Sequence, residues 1–316
     1  MSRRVLVTSR SFGQVSDESI RLLEEQGFSI DYMTSNFRLD AFEAAIDQYD
    51  ALIIGAHPFD PALFARCPKL KIICKHGVGL DNIPVDAAKD NQVSVTYAPG
   101  TNSDAVADFT MALILANTRN LFYSVNELKS GNYRPNIGFD AHRKTLGLLG
   151  FGAIARRVAK RALGFDMKIL AYDPYVSQAP AGLEAVRLCS LEEVLEQSDF
   201  VSIHLPFAPA TANLVGAAEL ARMKPSARVI NTARGGILDE GALYDAIRDS
   251  RLAGAALDVL AQEPIRPDHP LLSLPQVQIT NHVASYSREA LNAISMICAE
   301  NIIRCFAGQP LLHQVV

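Results

Sequence analysis

The sequence predicts an α/β protein built from two doubly wound parallel-sheet domains, and three observations carry that expectation. Short β-branched and apolar runs alternate with helical patterns almost from end to end. The 316 residues exceed the usual size of one core, which makes two domains the natural reading. A second round of the same alternation follows a long helical stretch over 103–130, past a Pro/Gly interruption at Tyr97-Ala-Pro-Gly100.

In the first round, Arg4-Val-Leu-Val-Thr8 reads as a strand that leads into an amphipathic helix, Asp17 to Glu25, closed by Gly27. Ala51-Leu-Ile-Ile-Gly55, Leu70-Lys-Ile-Ile-Cys74 and Val93-Ser-Val-Thr96 repeat the strand pattern, with helical spacers at 61–66 and 85–89. Strands that are apolar throughout and joined by helices imply a parallel sheet covered on both faces. In the second round the strands are 145–149, 168–172, 200–204, 228–231, 255–258 and 277–280. A last helix, about 287–306, has no obvious partner in the second sheet and is expected to cross back to the first domain. The first domain is then discontinuous, 1–99 plus 285–316, around a second domain at 100–284.

Composition is that of an ordinary globular enzyme, 49% hydrophobic and 20% charged with a net charge of −4. Lys and Arg never cluster beyond two or three residues, which argues against a nucleic-acid surface. No apolar run approaches the roughly 20 residues of a membrane helix, and the N-terminus reads as a strand, not a signal peptide. Cys67, Cys74, Cys189, Cys298 and Cys305 form no C-x-x-C pair. They read as small buried hydrophobes in a reducing, cytoplasmic compartment, with neither a disulfide framework nor a metal site.

The strand at 145–149 runs into Gly150-Phe-Gly152-Ala-Ile-Ala155 at the start of a helix. Gly150 permits a tight turn, Gly152 lets the backbone approach a pyrophosphate, and small Ala155 lets helix and strand pack closely. The helix N-terminus adds N–H groups and partial positive charge for phosphates. Twenty-one residues after Gly152 the next strand ends at Asp173, placed to accept from ribose hydroxyls and to repel a 2′-phosphate. No arginine immediately follows it, so the cofactor is read as NAD and not NADP.

Three later strand ends carry the remaining polar residues: Asn231-Thr-Ala-Arg234, Asp258 to Glu263-Pro264, and Thr280-Asn-His282. In open parallel sheets ligands sit at such carboxyl ends. Arg234 offers a fork for a carboxylate. His282 can exchange a proton near neutral pH, and a neighbouring carboxylate such as Glu263 would raise its pKa and orient its ring.

These motifs, in order and spacing, resemble those of the D-isomer-specific 2-hydroxyacid dehydrogenases over essentially the whole chain. The resemblance implies a flavodoxin-like substrate domain, a Rossmann cofactor domain and a catalytic triad of Arg234, Glu263 and His282. It implies NAD contacts at Gly150, Phe151, Gly152, Ala153, Ile154, Asp173, His204, Pro206, Thr211, Thr232, Ala233 and Asp258, with Arg234 and His282 beside the nicotinamide. Asp258 would bond the nicotinamide carboxamide. In the first domain Lys75-His-Gly77-Val78-Gly79 resembles the substrate loop, where N–H groups of Val78 and Gly79 hold the substrate carboxylate, and Asn102 matches a substrate-side asparagine. Lys75 reads equally as a substrate ligand or a structural lysine. Family members are usually homodimers joined through the cofactor domain. Departures are Ala208, Ala261, Asn281 and Asp108, where a threonine, an acidic residue, a proline and a glutamate are common.

Within the family the loop and the region of Asn102 and Val106 to Asp108 look closest to phosphoglycerate dehydrogenases, although Lys75 stands where an arginine often serves the phosphate. Glyoxylate or hydroxypyruvate reduction is the alternative, and Glu263 argues against formate, whose enzymes use glutamine there. With the sequence ending at Val316, feedback inhibition by serine through a C-terminal domain is not expected. Closure about Ala98–Thr101 and Ala284–Ser285 is expected to exclude water. A role of another class, an NAD-sensing corepressor, needs a peptide groove on the first domain that the sequence does not reveal.

Overall fold

Apolar strands with every residue buried, as at 51–54 and 72–75, need cover on both faces, and helices on both faces provide it. A computed structural model describes residues 2–35 and 37–316 and divides the chain into two units. One runs from the N-terminus to Asn102 and includes Tyr286–Val316; the other is Ser103–Ser285.

The first unit contains β1 (Arg3–Val7), α1 (Glu18–Glu25), β2 (Phe28–Tyr32), α2 (Leu39–Ala45), β3 (Ala51–Ile54), β4 (Ile72–Lys75), α3 (Val85–Asp90) and β5 (Ser94–Thr96). Its five strands are parallel in the order β2-β1-β3-β4-β5, the flavodoxin-like order, with the direction of winding reversing between β1 and β3. Side chains alternate between two cores. Leu6, Leu52, Ile54, Ile73 and Val95 pack with Phe42 and Phe64 on one face, and Val5, Val7, Ile53, Ile72 and Cys74 fill the other. The edge strand β2 has no counterpart among the strands expected from the sequence. Only its first residue, Phe28, is buried, and Ser29 and Tyr32 are exposed, as expected of a strand at the edge of the sheet.

The second unit opens with α4 (Ser103–Thr118) and α5 (Leu121–Lys129). The sequence predicts one helix here. The structure breaks it at Asn120, which takes the left-handed conformation at φ 47 and donates from its side chain to Asn136 Oδ1 and Ile137 O. Asparagine tolerates that conformation because its short polar side chain bonds locally. There follow β6 (Thr145–Leu149), α6 (Ala153–Leu163), β7 (Lys168–Tyr172), β8 (Val186–Leu188), α7 (Leu191–Gln197), β9 (Phe200–Ile203), α8 (Ala217–Arg222), β10 (Arg228–Asn231), α9 (Glu240–Arg248), β11 (Gly254–Leu257) and β12 (Val277–Ile279). The seven strands are parallel in the order β12-β11-β10-β9-β6-β7-β8. This is the Rossmann order with one added strand, and the winding reverses between β6 and β9. Short β8 is the other strand not expected from the sequence.

The last helix, α10 (Arg288–Phe306), lies in the first unit, where Ile294, Cys298, Ala299 and Ile302 cover the Val5–Val7–Ile72–Cys74 face. Among the described residues no helix is long and apolar enough to cross a membrane.

Candidate active site

The glycine turn lies at the carboxyl end of β6, beside the point where the sheet's winding reverses. Gly150 has φ 90, and a Cβ there would sit 2.8 Å from His204 O, so both conformation and space require glycine. Gly152 is exposed and a Cβ on it would meet nothing within 4 Å, which leaves an open approach to the start of α6. No side chain caps that helix, so its first N–H groups remain available to an anion. Ala155 is fully buried, as close packing of α6 requires.

Asp173 does more than the sequence suggested. Its Oδ2 accepts from Phe151 N–H at 2.8 Å and its Oδ1 from Tyr175 N–H at 2.9 Å, which ties the end of β7 to the turn. A carboxylate has about four acceptor sites, so hydroxyls can still be accommodated. Phe151 itself is placed in the core, its side chain fully buried and its carbonyl accepting from Arg156 Nε. Its part is therefore to anchor the turn; Gly152, Ala153 and Ile154 provide the approachable surface.

At the end of β9, His204 Nε2 lies 2.9 Å from Ser202 Oγ, while Nδ1 is buried with no protein partner among the described residues. Burial pushes the imidazole down to about 3, so it is neutral. An orphaned buried nitrogen beside an uncapped helix and an open glycine fits a dinucleotide. Thr211 instead shapes its own loop. Its hydroxyl accepts from Ala208 N–H at 2.8 Å and faces Pro206 O at 2.7 Å. Thr232 is buried, its hydroxyl 2.8 Å from that of Thr110 on α4.

Arg234, Glu263 and His282 come together at the ends of β10, β11 and β12. Asn231 organises the first loop: its Oδ1 accepts from Ala233 N–H at 3.0 Å and its Nδ2 donates to Arg234 O at 2.9 Å. The next residue, Gly235, runs so close to the second loop that a Cβ would stand 1.9 Å from Leu260 O. Glu263 Oε1 accepts from Leu260 N–H at 3.0 Å, and Oε2 lies 2.8 Å from His282 Nδ1.

Asp258 is 1% exposed and clamps the third loop. Its Oδ1 accepts from Thr280 Oγ1 at 2.6 Å and Val283 N–H at 2.9 Å, its Oδ2 from Ala284 N–H at 2.8 Å, and its carbonyl from His282 N–H at 3.0 Å. That grip holds His282 at φ 57, a conformation rarely stable without such support.

The electrostatics follow from this geometry. The hydrogen bond to Glu263 raises the His282 pKa, against opposition from burial and from the charge of Arg234. Burial alone would raise the Glu263 carboxyl, but bonds from His282 and Leu260 N–H and the charge of Arg234 outweigh it and hold it below the usual range. The arrangement is a half-exposed imidazole, held ready to carry a proton, beside a guanidinium.

In the first unit, Val78 and Gly79 lie in the loop after β4 and are partly buried. Lys75, the last residue of β4, and His76 after it both make hydrogen bonds within the unit. Lys75 is 9% exposed and its ammonium donates to Gly55 O at 2.8 Å and Asn82 Oδ1 at 2.6 Å, joining the loops that follow β3 and β4. His76, also buried, bonds Ser9 Oγ and Ser11 Oγ through Nδ1 and Ser295 Oγ through Nε2. Asn102, directly before α4, is 8% exposed. The sequence reading missed the holding roles of Asn231, Gly235 and His76; a polar or glycine residue at a strand end was the available signal.

Known proteins share this fold. Residues 111–284 match the NAD binding domain of the D-isomer specific 2-hydroxyacid dehydrogenases. The D-3-phosphoglycerate dehydrogenase of Archaeoglobus fulgidus is 36% identical over 304 residues, which is 95% of this chain and 58% of that protein. This chain thus spans little more than half of that relative. The glyoxylate reductase of Korarchaeum cryptofilum is 39% identical over 267 residues, 82% of this chain and 80% of its own length. The crystal structure of the TT0316 protein from Thermus thermophilus superposes with a TM-score of 0.92 at 33% identity, covering 99% of this chain and all of that one. With the glycine turn, the Arg234–Glu263–His282 cluster and both sheet orders in place, the chain belongs to the D-isomer specific 2-hydroxyacid dehydrogenase family.

Proposed function

We propose that this protein is an NAD-dependent oxidoreductase acting on a D-2-hydroxy acid or the matching 2-oxo acid. The observation that carries the reading is the 2.8 Å contact between His282 Nδ1 and Glu263, on a histidine whose pKa that contact raises, with Arg234 adjacent. Gly152, Ala153, Ile154 and Asp173 would hold NAD, which when bound would supply hydride chemistry at C2 of the substrate. With Nδ1 committed to Glu263, His282 Nε2 is left to give a proton to the substrate oxygen in reduction or take it in oxidation. Arg234 pairs with the substrate carboxylate by two parallel bonds. Asp258 keeps the turn of His282 in register and has acceptor capacity left for the carboxamide.

For the substrate, an unphosphorylated 2-oxo acid such as glyoxylate or hydroxypyruvate is the reading favoured over 3-phosphoglycerate. The Lys75 ammonium, at the position expected to serve a phosphate, is directed at Gly55 and Asn82. A cytoplasmic setting accords with five free cysteines. A homodimer through the second unit accords with the exposed apolar residues of α5 and the segment after it. Tyr133 and Ile137 are 90% and 95% exposed, beside a groove of about 560 Å³ between α4, α5 and Pro135.

The deciding experiment is a panel of glyoxylate, hydroxypyruvate, pyruvate and 3-phosphoglycerate with NADH or NAD as appropriate, on wild type and His282→Ala. Turnover of at least one acid is expected, lost in the variant while NADH still binds. Near-wild-type turnover in His282→Ala would refute the acid–base assignment.

A further inference from the structure

The segment that carries Glu263 is exposed from Ala261 to Pro264, so beyond the close approach of Gly235 to the Leu260–Ala261 peptide it is hydrogen bonds that set its orientation. Two adjacent backbone N–H groups are held by two different carboxylates. Leu260 N–H donates to Glu263, the partner of His282. Ala261 N–H donates to Glu240 Oε1 at 2.6 Å. Glu240 is the first residue of α9, whose backbone start is fixed by Asp239 accepting from Ala242 N–H at 2.9 Å. The other Glu240 oxygen lies 3.2 Å from His269 Nε2, and the two side chains are only 16% and 24% exposed. The pair lines a small cavity of about 190 Å³ with Gly241, Tyr244 and Pro270, outside the cluster of Arg234, Glu263 and His282.

We propose that Glu240, oriented by His269, is a positioning residue for the acid–base pair, holding the Leu260–Ala261 peptide so that Glu263 is aimed at His282. Successive N–H groups bonded to separate acceptors fix the rotation of the segment about its own axis. If the Glu240 acceptor is removed, the Ala261 N–H turns to water and the Leu260 N–H turns with it, away from Glu263 Oε1. The carboxylate then no longer sits squarely on Nδ1, and the bond that raises the His282 pKa weakens. Ala261 suits this arrangement, since it presents no carboxylate of its own to compete for the loop.

The inference rests on His282 being the acid–base group, and the test separates the two. The pH profile of kcat/KM for 2-oxo acid reduction, NADH affinity and Tm are measured for wild type, Glu240→Ala, Glu240→Gln, His269→Gln and His282→Gln. Reduction needs the protonated imidazole, so activity falls as pH rises through its pKa. In Glu240→Ala that alkaline limb is expected at lower pH, with kcat reduced on the order of tenfold, as misplacement of a reacting group predicts, and NADH affinity unchanged. Glu240→Gln retains an acceptor for Ala261 N–H and is expected to keep the wild-type limb, whereas His269→Gln shifts it in the same direction but less. A limb in Glu240→Ala that coincides with wild type, whatever the Tm, overturns the proposal. So does a limb in Glu240→Gln displaced as far as in Glu240→Ala. If the limb persists in His282→Gln, the acid–base assignment has failed instead.

Discussion

His76 should make this protein acid-sensitive in a way that one substitution removes. Ser295 donates its only hydroxyl proton to Leu291 O at 2.8 Å, so it can only accept from His76, and Nε2 must carry the hydrogen. Nδ1 is then the acceptor for Ser9 or Ser11. Burial, helped by the charge of Lys75, pushes the imidazole from 6.5 to about 4. A histidine depressed in the native state contributes full stability above the unfolded value and loses it as pH falls toward the native one. The window is therefore pH 6.5 down to 4, where the unfolded chain binds a proton that the native site refuses. At about 1.4 kcal/mol per pKa unit the whole window is worth about 3 kcal/mol, of which about 2 kcal/mol is already lost at pH 5. The assay is urea unfolding at pH 7.5 and pH 5.0 for wild type and His76→Gln, with hydrogen exchange of the β4 amides reporting on this unit. Wild type should lose about 2 kcal/mol more than the variant between the two conditions. Equal losses, within about 0.5 kcal/mol, would show that the imidazole titrates normally and that the serine cage is not closed.

Three further outcomes are expected. Glu263→Gln removes the charge that raises His282, so the alkaline limb of reduction should move to lower pH; a profile superimposable on wild type would contradict the pairing. Arg234→Lys replaces a fork by a point charge, and losing one charge-assisted bond, about 1.5–3 kcal/mol, should raise KM on the order of 10- to 100-fold with NADH affinity retained. Gly235→Ala forces its Cβ against Leu260 O, 1.9 Å away, so the two loops must part. A lower Tm and a sharply reduced kcat are expected, and an unaffected kcat would mean that the loops need not be held so close.

The strands with unbroken apolar faces were legible in the sequence because burial on both sides leaves a continuous run. The edge strands β2 and β8 were not, since they are short and half wet, and the break at Asn120 was hidden inside a pattern that remains helical on either side. The cluster of Arg234, Glu263 and His282 was legible because each residue stands at a strand end in a recognisable motif. The direction of a side chain was not. Lys75 and Phe151 occupy positions of familiar motifs, yet one points into a brace between loops and the other into the core. Spacing along a chain does not say which way a residue at a turn will face. For the same reason Asp173 and Asp258 were read only as ligand contacts, whereas much of their bonding capacity goes to backbone N–H groups that shape the loops around them.

The return of α10 to the first unit has a consequence for how the protein is made. β4 ends at Lys75 and the helix that covers it begins at Arg288, 213 residues later. At roughly 5–20 residues per second on the ribosome, the face formed by Val5, Val7, Ile72 and Cys74 waits about 10–40 s for Ile294, Cys298 and Ile302 to emerge. The second unit, continuous in sequence, is complete before that moment. Order of closure thus reverses order of synthesis: the unit translated first is the last to close, and its bare sheet is the surface a nascent-chain chaperone would meet.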